Sequence, residues 1–212
     1  MQLNLELMSF IETQILPRYN NFGSSHGINH VQRVIANSLE LAKSTGADIN
    51  MVYTVAAYHD LGMSGPRAIH HITSGKILAA DSRLKRWFSP EQINIMKEAV
   101  EDHRASASHS PRSIYGKIVA EADRDLEPNV VFTRAVEYGL EHEPEYSQQQ
   151  QWERFNKHME EKYGVNGYMH LWIPGSPNEQ HLKTVRSIIA DKQKLKEIFD
   201  ALYKKLTAEK AK

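Results

Sequence analysis

Residues 48–62 read DINMVYTVAAYHDLG, and the spacing within this stretch decides the fold. Val52, Val55 and His59 recur at i, i+3 and i+7, so they share one face of a helix and His59 lies on an apolar stripe. The aspartate at the start is a favourable N-cap, and the glycine at the end stops the pattern. The stretch therefore predicts a buried helix that ends with an imidazole and, beside it, the carboxylate of Asp60.

The same helical periodicity dominates on both sides of this stretch. No segment shows sustained strand-like alternation, so the expected fold class is all-α, a helical bundle. Ser89, followed by proline and then glutamine three positions on, predicts one helix start. The first helix is expected to end near Pro17, and one long C-terminal helix is expected to open at Ser176; residues 61–68 and 164–175 are expected to be irregular. The other predicted helices cover approximately residues 31–42, 48–60, 69–80, 90–103, 114–124, 129–141 and 148–163.

Composition excludes several classes of protein. The 26 basic and 26 acidic residues balance, whereas a binder of nucleic acid duplexes usually shows a basic excess, so no such partner is expected. Cysteine is absent, which excludes disulfides, thiolate-bound metals and a cysteine nucleophile. The N-terminus lacks the basic region of a signal peptide, and no apolar run approaches about 20 residues. We therefore expect a cytoplasmic protein with no membrane partner.

Histidines and aspartates on other helices also lie on or beside apolar faces. His103 continues one buried stripe, Asp123 adjoins another, and His30 stands next to a third. A buried carboxylate without a partner is too costly, and a divalent cation would serve as partner to all of these groups. The predicted metal ligands are therefore His30, His59, Asp60 and Asp123. Two imidazoles and two carboxylates suit Mn²⁺, Fe²⁺, Co²⁺, Ni²⁺ or Zn²⁺ better than Ca²⁺ or Mg²⁺.

Each of these residues taken alone has a simpler explanation. A His-Asp dipeptide arises easily by chance in a chain with 11 histidines, and one histidine on an apolar helix face is more often a hydrogen-bonded core residue. Asp123 could pair with Arg124. The combination of His30, the His59-Asp60 pair and Asp123 favours a metal site, because each of these three lies on a separate helix and faces inward.

Three segments resemble the HD superfamily of metal-dependent phosphohydrolases, which is named for its His-Asp pair. They are SHGINHVQRV at 25–34, AAYHDLG at 56–62 and KIVAEADRDL at 117–126. The resemblance covers about residues 20–130 and implies a helical-bundle core that binds a divalent metal and hydrolyses phosphoesters or nucleotides. We expect a single HD-type domain over 1–212, with a C-terminal helical extension at about 131–212.

The expected metal chemistry also suggests roles for individual residues. His103 and Asp60 are the predicted catalytic residues, with His103 handling a proton or binding phosphate. Adjacent His70 and His71 cannot both face inward, and the spacing to Ser74, Gly75 and Leu78 favours His71. Some HD proteins are dinuclear, and here His71 and His103 would hold a second metal. The predicted substrate-binding residues are Arg67, His71, Arg104, Arg124 and His26.

The favoured function is hydrolysis of a phosphorylated small molecule, with a nucleoside mono- or triphosphate as the leading substrate. Met63 stands where some nucleotidases of the superfamily have a glutamate after the doublet, so their mechanism does not transfer directly. A di-iron oxygenase of the same fold, a non-catalytic nucleotide-binding sensor and a purely structural helical protein stay open as alternatives. A homodimer also stays open.

Overall fold

The computed structural model describes residues 2–23, 26–104 and 109–210. Within these residues every regular element is helical and no strand is present, which confirms the all-α fold class. The chain divides into two compact units, Met1–Arg124 and Asp125–Lys212. This division does not decide whether 1–212 is a single domain with an extension, and that expectation stays a prediction.

The first unit is built around a buried central helix, α3. Asp48 is its N-cap, as predicted, and accepts a hydrogen bond from the Asn50 N–H at 2.9 Å. All residues from Met51 to Tyr58 are buried, and α3 packs against α2, α5 and α6. The helices of this unit are α1 (Leu5–Phe10), α2 (Ile28–Ala42), α3 (Ile49–Tyr58), α4 (His70–Ala80), α5 (Pro90–Glu101) and α6 (Ile114–Ala122).

The N-terminal helix changes its geometry near Pro17. Its α-helical part continues as a π-helical turn, Ile11–Ile15, and a 3₁₀ segment, Leu16–Asn21, follows. The expected end near Pro17 agrees with this change, and the proline occupies the first turn of the 3₁₀ segment, where its missing N–H has no partner to lose. The consequence is that Tyr19 turns fully into the core of the unit.

Segment 61–68, expected to be irregular, forms two 3₁₀ turns, Leu61–Ser64 and Arg67–Ile69. They bring the end of α3 against the start of α4. The Gly62 N–H donates to Ser74 Oγ at 2.8 Å. A Cβ on Gly62 would lie 2.1 Å from the His70 carbonyl oxygen, so only glycine allows this approach. The contact sets the position of α4 relative to α3.

We expect Gly62→Ala to lower the free energy of unfolding by about 2–3 kcal/mol, because the added methyl group meets backbone and α4 must move. Gly65→Ala is the matched control in the same turn, since its Cβ would meet its nearest atom at 3.7 Å, an ordinary contact. Urea denaturation measures both. Equal stability of the two variants would contradict the role of Gly62.

The second unit contains four helices in the described residues, α7 (Pro128–His142), α8 (Gln148–Tyr163), α9 (Pro177–Ala190) and α10 (Lys192–Lys210). Its core includes the fully buried rings of Phe155 and Phe199. The prediction of one long C-terminal helix is wrong, because the chain is extended at Asp191 and the Asp191 carboxylate accepts a bond from the Lys194 N–H. This bond caps a new helix instead of continuing the old one.

Helices of the described residues lack the combination of length and apolarity that crossing a bilayer requires.

Candidate metal centre

Seven side chains converge where helices α2 to α6 begin or end. Three of these helices, α3, α5 and α6, end there, so the partial negative charge of their last carbonyls favours a cation. The side chains form three overlapping groups whose candidate ligand atoms all lie within 4.8 Å of one another within each group. We call the set the His/Asp cluster. Its members are His26, His30, His59, Asp60, His70, His103 and Asp123.

The first part of the cluster contains the four predicted ligands. His30 Nε2 lies 3.1 Å from His59 Nε2, 3.2 Å from Asp123 Oδ1 and 3.3 Å from Asp60 Oδ2. His59 Nε2 lies 3.4 Å from the same Asp60 oxygen. The structure therefore brings these four side chains together, and their role as ligands stays a prediction.

The second part of the cluster lies on the other oxygen of the same carboxylate. Asp60 Oδ1 is 3.4 Å from His70 Nε2 and 3.4 Å from His103 Nε2, and these two nitrogens are 3.1 Å apart. Asp60 is 2% exposed. Each oxygen of the Asp60 carboxylate thus faces a different set of imidazoles. A carboxylate in this arrangement could be a ligand of two ions.

The structure corrects the expectation that His71 faces inward. His70, Ser74 and Leu78 form the buried face of α4, whereas the His71 ring lies beside the cluster and is only half-buried. The 3₁₀ turn before α4 sets this rotation, since His70 Nδ1 donates to the Arg67 carbonyl at 2.7 Å. Helical spacing could not choose between the neighbours, because both histidines fit a stripe through Ser74 and Leu78.

Carbonyls at helix ends orient three of the imidazoles. His59 Nδ1 donates to the Ala56 carbonyl at 2.7 Å, His103 Nδ1 to the Val100 carbonyl at 2.6 Å and His70 Nδ1 to the Arg67 carbonyl at 2.7 Å. Because each of these carbonyls accepts the ring Nδ1–H, it fixes the orientation of the imidazole and leaves the Nε2 lone pair pointing into the cluster. At His30 the neighbour of Nδ1 is instead Arg33 Nη2, at 3.2 Å.

The backbone at His103 is held by its neighbour Asp102. The Asp102 carboxylate is buried and accepts from the Arg112 backbone N–H at 2.7 Å and from Arg112 Nε at 3.0 Å. Since Arg112 lies just before α6, this pair joins the end of α5 to the start of α6. It keeps His103 close to the helix that carries Asp123.

The electrostatics of the cluster keep both carboxylates ionised. Burial alone would raise the pKa of Asp60, but the charge of His59 and the nearby imidazoles of His103 and His26 lower it below its ordinary value. Burial is likewise outweighed at Asp123, where the hydrogen bond from His30 and the charge of His59 lower the pKa to about 2. The cluster therefore holds two negative charges that face its imidazoles.

The donor set fits a divalent metal. Asp60 Oδ1 is a buried carboxylate oxygen without a hydrogen-bond partner. It faces the Nε2 atoms of His70 and His103, whose other nitrogens already donate to carbonyls. Two imidazole lone pairs 3.1 Å apart beside a carboxylate need a proton or a metal ion between them. Imidazole and carboxylate donors suit Mn²⁺, Fe²⁺, Co²⁺, Ni²⁺ and Zn²⁺.

The residues predicted to bind substrate lie in different places. His26 belongs to the cluster, with Nδ1 2.7 Å from Asp60 Oδ2, and is half-buried. Arg104 lies beside α4, where Nη1 donates to the Ala68 carbonyl at 2.8 Å. The Arg67 side chain is exposed, while Arg124 is buried.

Two residues near the cluster, Tyr19 and Arg33, were not predicted from the sequence. The i+3 spacing from His30 could have indicated Arg33, but no sequence signal pointed to Tyr19.

Stability of the metal-free protein is expected to fall between pH 6.5 and 9. Burial lowers the pKa of His30, but hydrogen bonds to Asp123 and Asp60 outweigh it and raise the pKa to about 9. The folded state therefore binds this proton more tightly than the unfolded state. Its contribution, roughly 3 kcal/mol, is complete below pH 6.5 and is lost as the pH rises through 9.

Chemical denaturation of chelator-treated protein at pH 6 and pH 9 measures this loss. His30→Gln is expected to flatten the difference, because the titrating group is gone. An equal loss in wild type and His30→Gln would assign the alkaline instability to other groups.

Comparison with known proteins agrees with this geometry. Residues 27–126 match the family model of the HD domain. The resemblance seen in the sequence is thereby confirmed. All four predicted ligands of the first part of the cluster lie within the matched region, as do His70 and His103, whereas His26 precedes it.

A curated protein is similar to part of this chain. The tRNA (cytidine(56)-2'-O)-methyltransferase of Thermoplasma volcanium is 30% identical over 115 residues, which cover 50% of this chain and 33% of that protein. This chain thus spans about a third of that relative's length.

Two solved structures are similar at lower identity. A protein from Lactobacillus plantarum is 19% identical with a TM-score of 0.52, covering 98% of this chain and 100% of that chain, which shows a shared fold. A predicted HD superfamily hydrolase from an uncultured Thermotogales bacterium is 20% identical with a TM-score of 0.49, covering 73% of this chain and 86% of that chain.

Proposed function

We propose that this protein is a divalent-metal-dependent phosphohydrolase with a two-metal centre, acting on a phosphorylated small molecule. The observation that carries the proposal is the Asp60 carboxylate, whose two oxygens face two separate sets of imidazoles at 3.3–3.4 Å. A carboxylate in this position is suited to bridge two ions. The HD family and the fit of the donor set support metal-dependent hydrolysis.

The ligands divide between two positions. His30, His59, Asp60 and Asp123 would hold one ion, and Asp60, His70 and His103 would hold the other. This revises one expectation, since His70 replaces His71 at the second position. Of the two roles expected for His103, ligand of a second metal and proton-handling residue, the proposal takes the first. When bound, the ions would supply Lewis acidity for the attack of water on phosphorus and neutralise charge on the phosphoryl oxygens.

His26 is suited to donate a proton to the leaving group. Its ring is half-buried, in contrast to the other imidazoles of the cluster, so one edge stays open to solvent while Nδ1 faces Asp60. In the hydrolysis, a bond forms between water oxygen and phosphorus, the bond to the leaving oxygen breaks, and that oxygen takes up a proton. His26 can donate this proton from the open edge of the centre.

Arg104 is suited to bind the phosphate. One guanidinium nitrogen is anchored on the Ala68 carbonyl, which holds the group beside α4. Burial and the charge of Arg104 lower the pKa of His71 to about 4, so His71 stays neutral beside the guanidinium at neutral pH. A planar guanidinium held in this way can form two parallel bonds to phosphate oxygens. Exposed Arg67, in the turn before α4, would add a second positive charge.

The substrate that we favour is a nucleotide, a mono- or triphosphate. Metal analysis of purified protein, followed by a phosphate- and pyrophosphate-release screen with Mn²⁺, Co²⁺ and Ni²⁺, tests this function. We expect two metal equivalents per chain and release from nucleotides. A filled centre that releases phosphate from no phosphorylated compound would contradict the hydrolase.

A di-iron oxygenase is the second candidate, because two adjacent sets of histidine and carboxylate donors also suit two iron ions. Iron as the resident metal together with substrate-dependent oxygen uptake would favour it. A non-catalytic sensor predicts instead that metal-free protein binds nucleotide and that no metal restores hydrolysis.

A further inference from the structure

Two residues of the N-terminal segment contact Asp60 from outside the region that matches the HD domain. Tyr19 and His26 both precede residues 27–126. His26 Nδ1 lies 2.7 Å from the Asp60 carboxylate, whereas the hydroxyl of Tyr19 meets the Asp60 backbone. Asp60 is therefore held partly by residues that lie outside the matched region.

The Tyr19 hydroxyl forms two hydrogen bonds at the end of α3. It donates to the Ala57 carbonyl at 2.9 Å and accepts from the Asp60 N–H at 3.2 Å. In a continuing α-helix the Asp60 N–H would donate to the Ala56 carbonyl, four residues before it. That carbonyl already accepts the ring N–H of His59. The Asp60 N–H and the Ala56 carbonyl would pair with each other in a longer helix. Here the N–H bonds to the Tyr19 hydroxyl and the carbonyl bonds to the His59 ring, so the helix is not extended.

The backbone responds by leaving the helix at this point. Helix α3 ends at Tyr58, and Asp60 has φ −111° and ψ 8°, outside the helical range. This change of direction turns the Asp60 side chain between the two sets of imidazoles, so that one oxygen faces each set. A hydrogen bond to the Asp60 N–H fixes the backbone from which this carboxylate extends.

We propose that Tyr19 is a positioning residue of the metal centre, whose hydroxyl ends α3 and holds Asp60 where its carboxylate can bridge two ions. The inference rests on the metal-binding function proposed above. The hydrogen bonds of the Tyr19 hydroxyl go to backbone groups at the end of α3, so it acts through the backbone of the ligand. Burial raises the pKa of Tyr19, and the charge of Asp60 raises it further, so the hydroxyl stays neutral and can donate and accept together.

Tyr19→Phe tests the proposal, since phenylalanine fills the same space without the two hydrogen bonds. Tyr58→Phe is the matched control, because Tyr58 is equally buried and its hydroxyl donates to Asp81 Oδ2 at 2.8 Å, outside the cluster. Metal-free wild type and both variants are titrated with Co²⁺, and affinity, stoichiometry and the visible spectrum are recorded beside thermal unfolding.

We expect Tyr19→Phe to bind Co²⁺ about tenfold or more weakly, as changes outside the ligand sphere typically do, and to alter the visible spectrum of bound Co²⁺. Tyr58→Phe is expected to keep wild-type affinity and spectrum even where its unfolding temperature falls. Wild-type affinity and spectrum in Tyr19→Phe would overturn the inference while leaving the proposed function intact. An equal loss in both variants would also overturn it, since the effect would then be one of general stability.

Two further results separate the remaining cases. Wild-type protein that binds no Co²⁺ overturns the proposed function and this inference together. If Tyr19→Phe does not fold, amide hydrogen exchange in the wild type decides: the Asp60 amide should exchange as slowly as the amides inside α3, and fast exchange would overturn the proposal.

Discussion

Replacing Asp60 with asparagine is expected to abolish binding of both metal ions and, with it, phosphate release. Asparagine keeps the shape of the side chain but removes the negative charge and offers one oxygen where the carboxylate offers two. We expect metal affinity to fall by more than the 10–100-fold typical of changes outside the ligand sphere. Turnover should fall on the order of 10³-fold or more. Mass spectrometry of bound metal and a phosphate-release assay measure the two effects.

Asp81→Asn is the matched control for this experiment. The Asp81 carboxylate also binds a tyrosine hydroxyl and an arginine, but neither partner belongs to the His/Asp cluster. This variant is expected to lose some stability and to keep two metal equivalents. Two tightly bound ions in Asp60→Asn would contradict a bridging role of this carboxylate, because neither metal position would then need it as a ligand.

His70→Ala is expected to reduce the metal content from two equivalents to one. His70 Nε2 faces Asp60 Oδ1 and His103 Nε2, so its loss leaves the second position with two donors, whereas the first position keeps all four. Turnover should fall by roughly 10²-fold or more, because the charge on the phosphoryl group is then neutralised by one ion alone. Metal analysis and Co²⁺ titration count the ions directly.

His71→Ala provides the control at the adjacent position. The His71 ring lies beside the cluster and does not belong to any of its groups, so this variant should retain two equivalents. The pair of variants decides between the expectation from helical spacing and the observed rotation of α4. Loss of one ion from His71→Ala, with His70→Ala unaffected, would show that His71 is the ligand at the second metal position and would contradict the structure.

Much of the fold was predictable because helix formation depends on neighbours in sequence. The apolar stripe through Val52 and Val55, the Asp48 cap and the Ser89 capping box all appear in the structure. Helical spacing also identified the four predicted ligands, His30, His59, Asp60 and Asp123. Each lies on or next to an inward stripe, and a stripe with a histidine or aspartate at its end indicates a buried polar group that needs a partner.

Other features could not be read from spacing. His70 and His71 fit the stripe of α4 equally well, and the choice depends on a turn held by the Gly62–Ser74 contact, between residues on separate elements. Likewise, the break at Asp191 divides a region whose periodicity was compatible with one helix. In both cases a specific hydrogen bond decided between alternatives that periodicity left equal.

Helical periodicity and capping settle which residues face inward, since both act over one or two turns of chain. They determined the all-α class and indicated a buried His/Asp set. Which inward groups then meet depends on how helix ends are brought together across tens of residues. Tyr19 reaches Asp60 over 41 positions, and His70 reaches His103 over 33. Packing and backbone hydrogen bonds of the folded chain create these contacts, and they alone make Asp60 face two sets of donors.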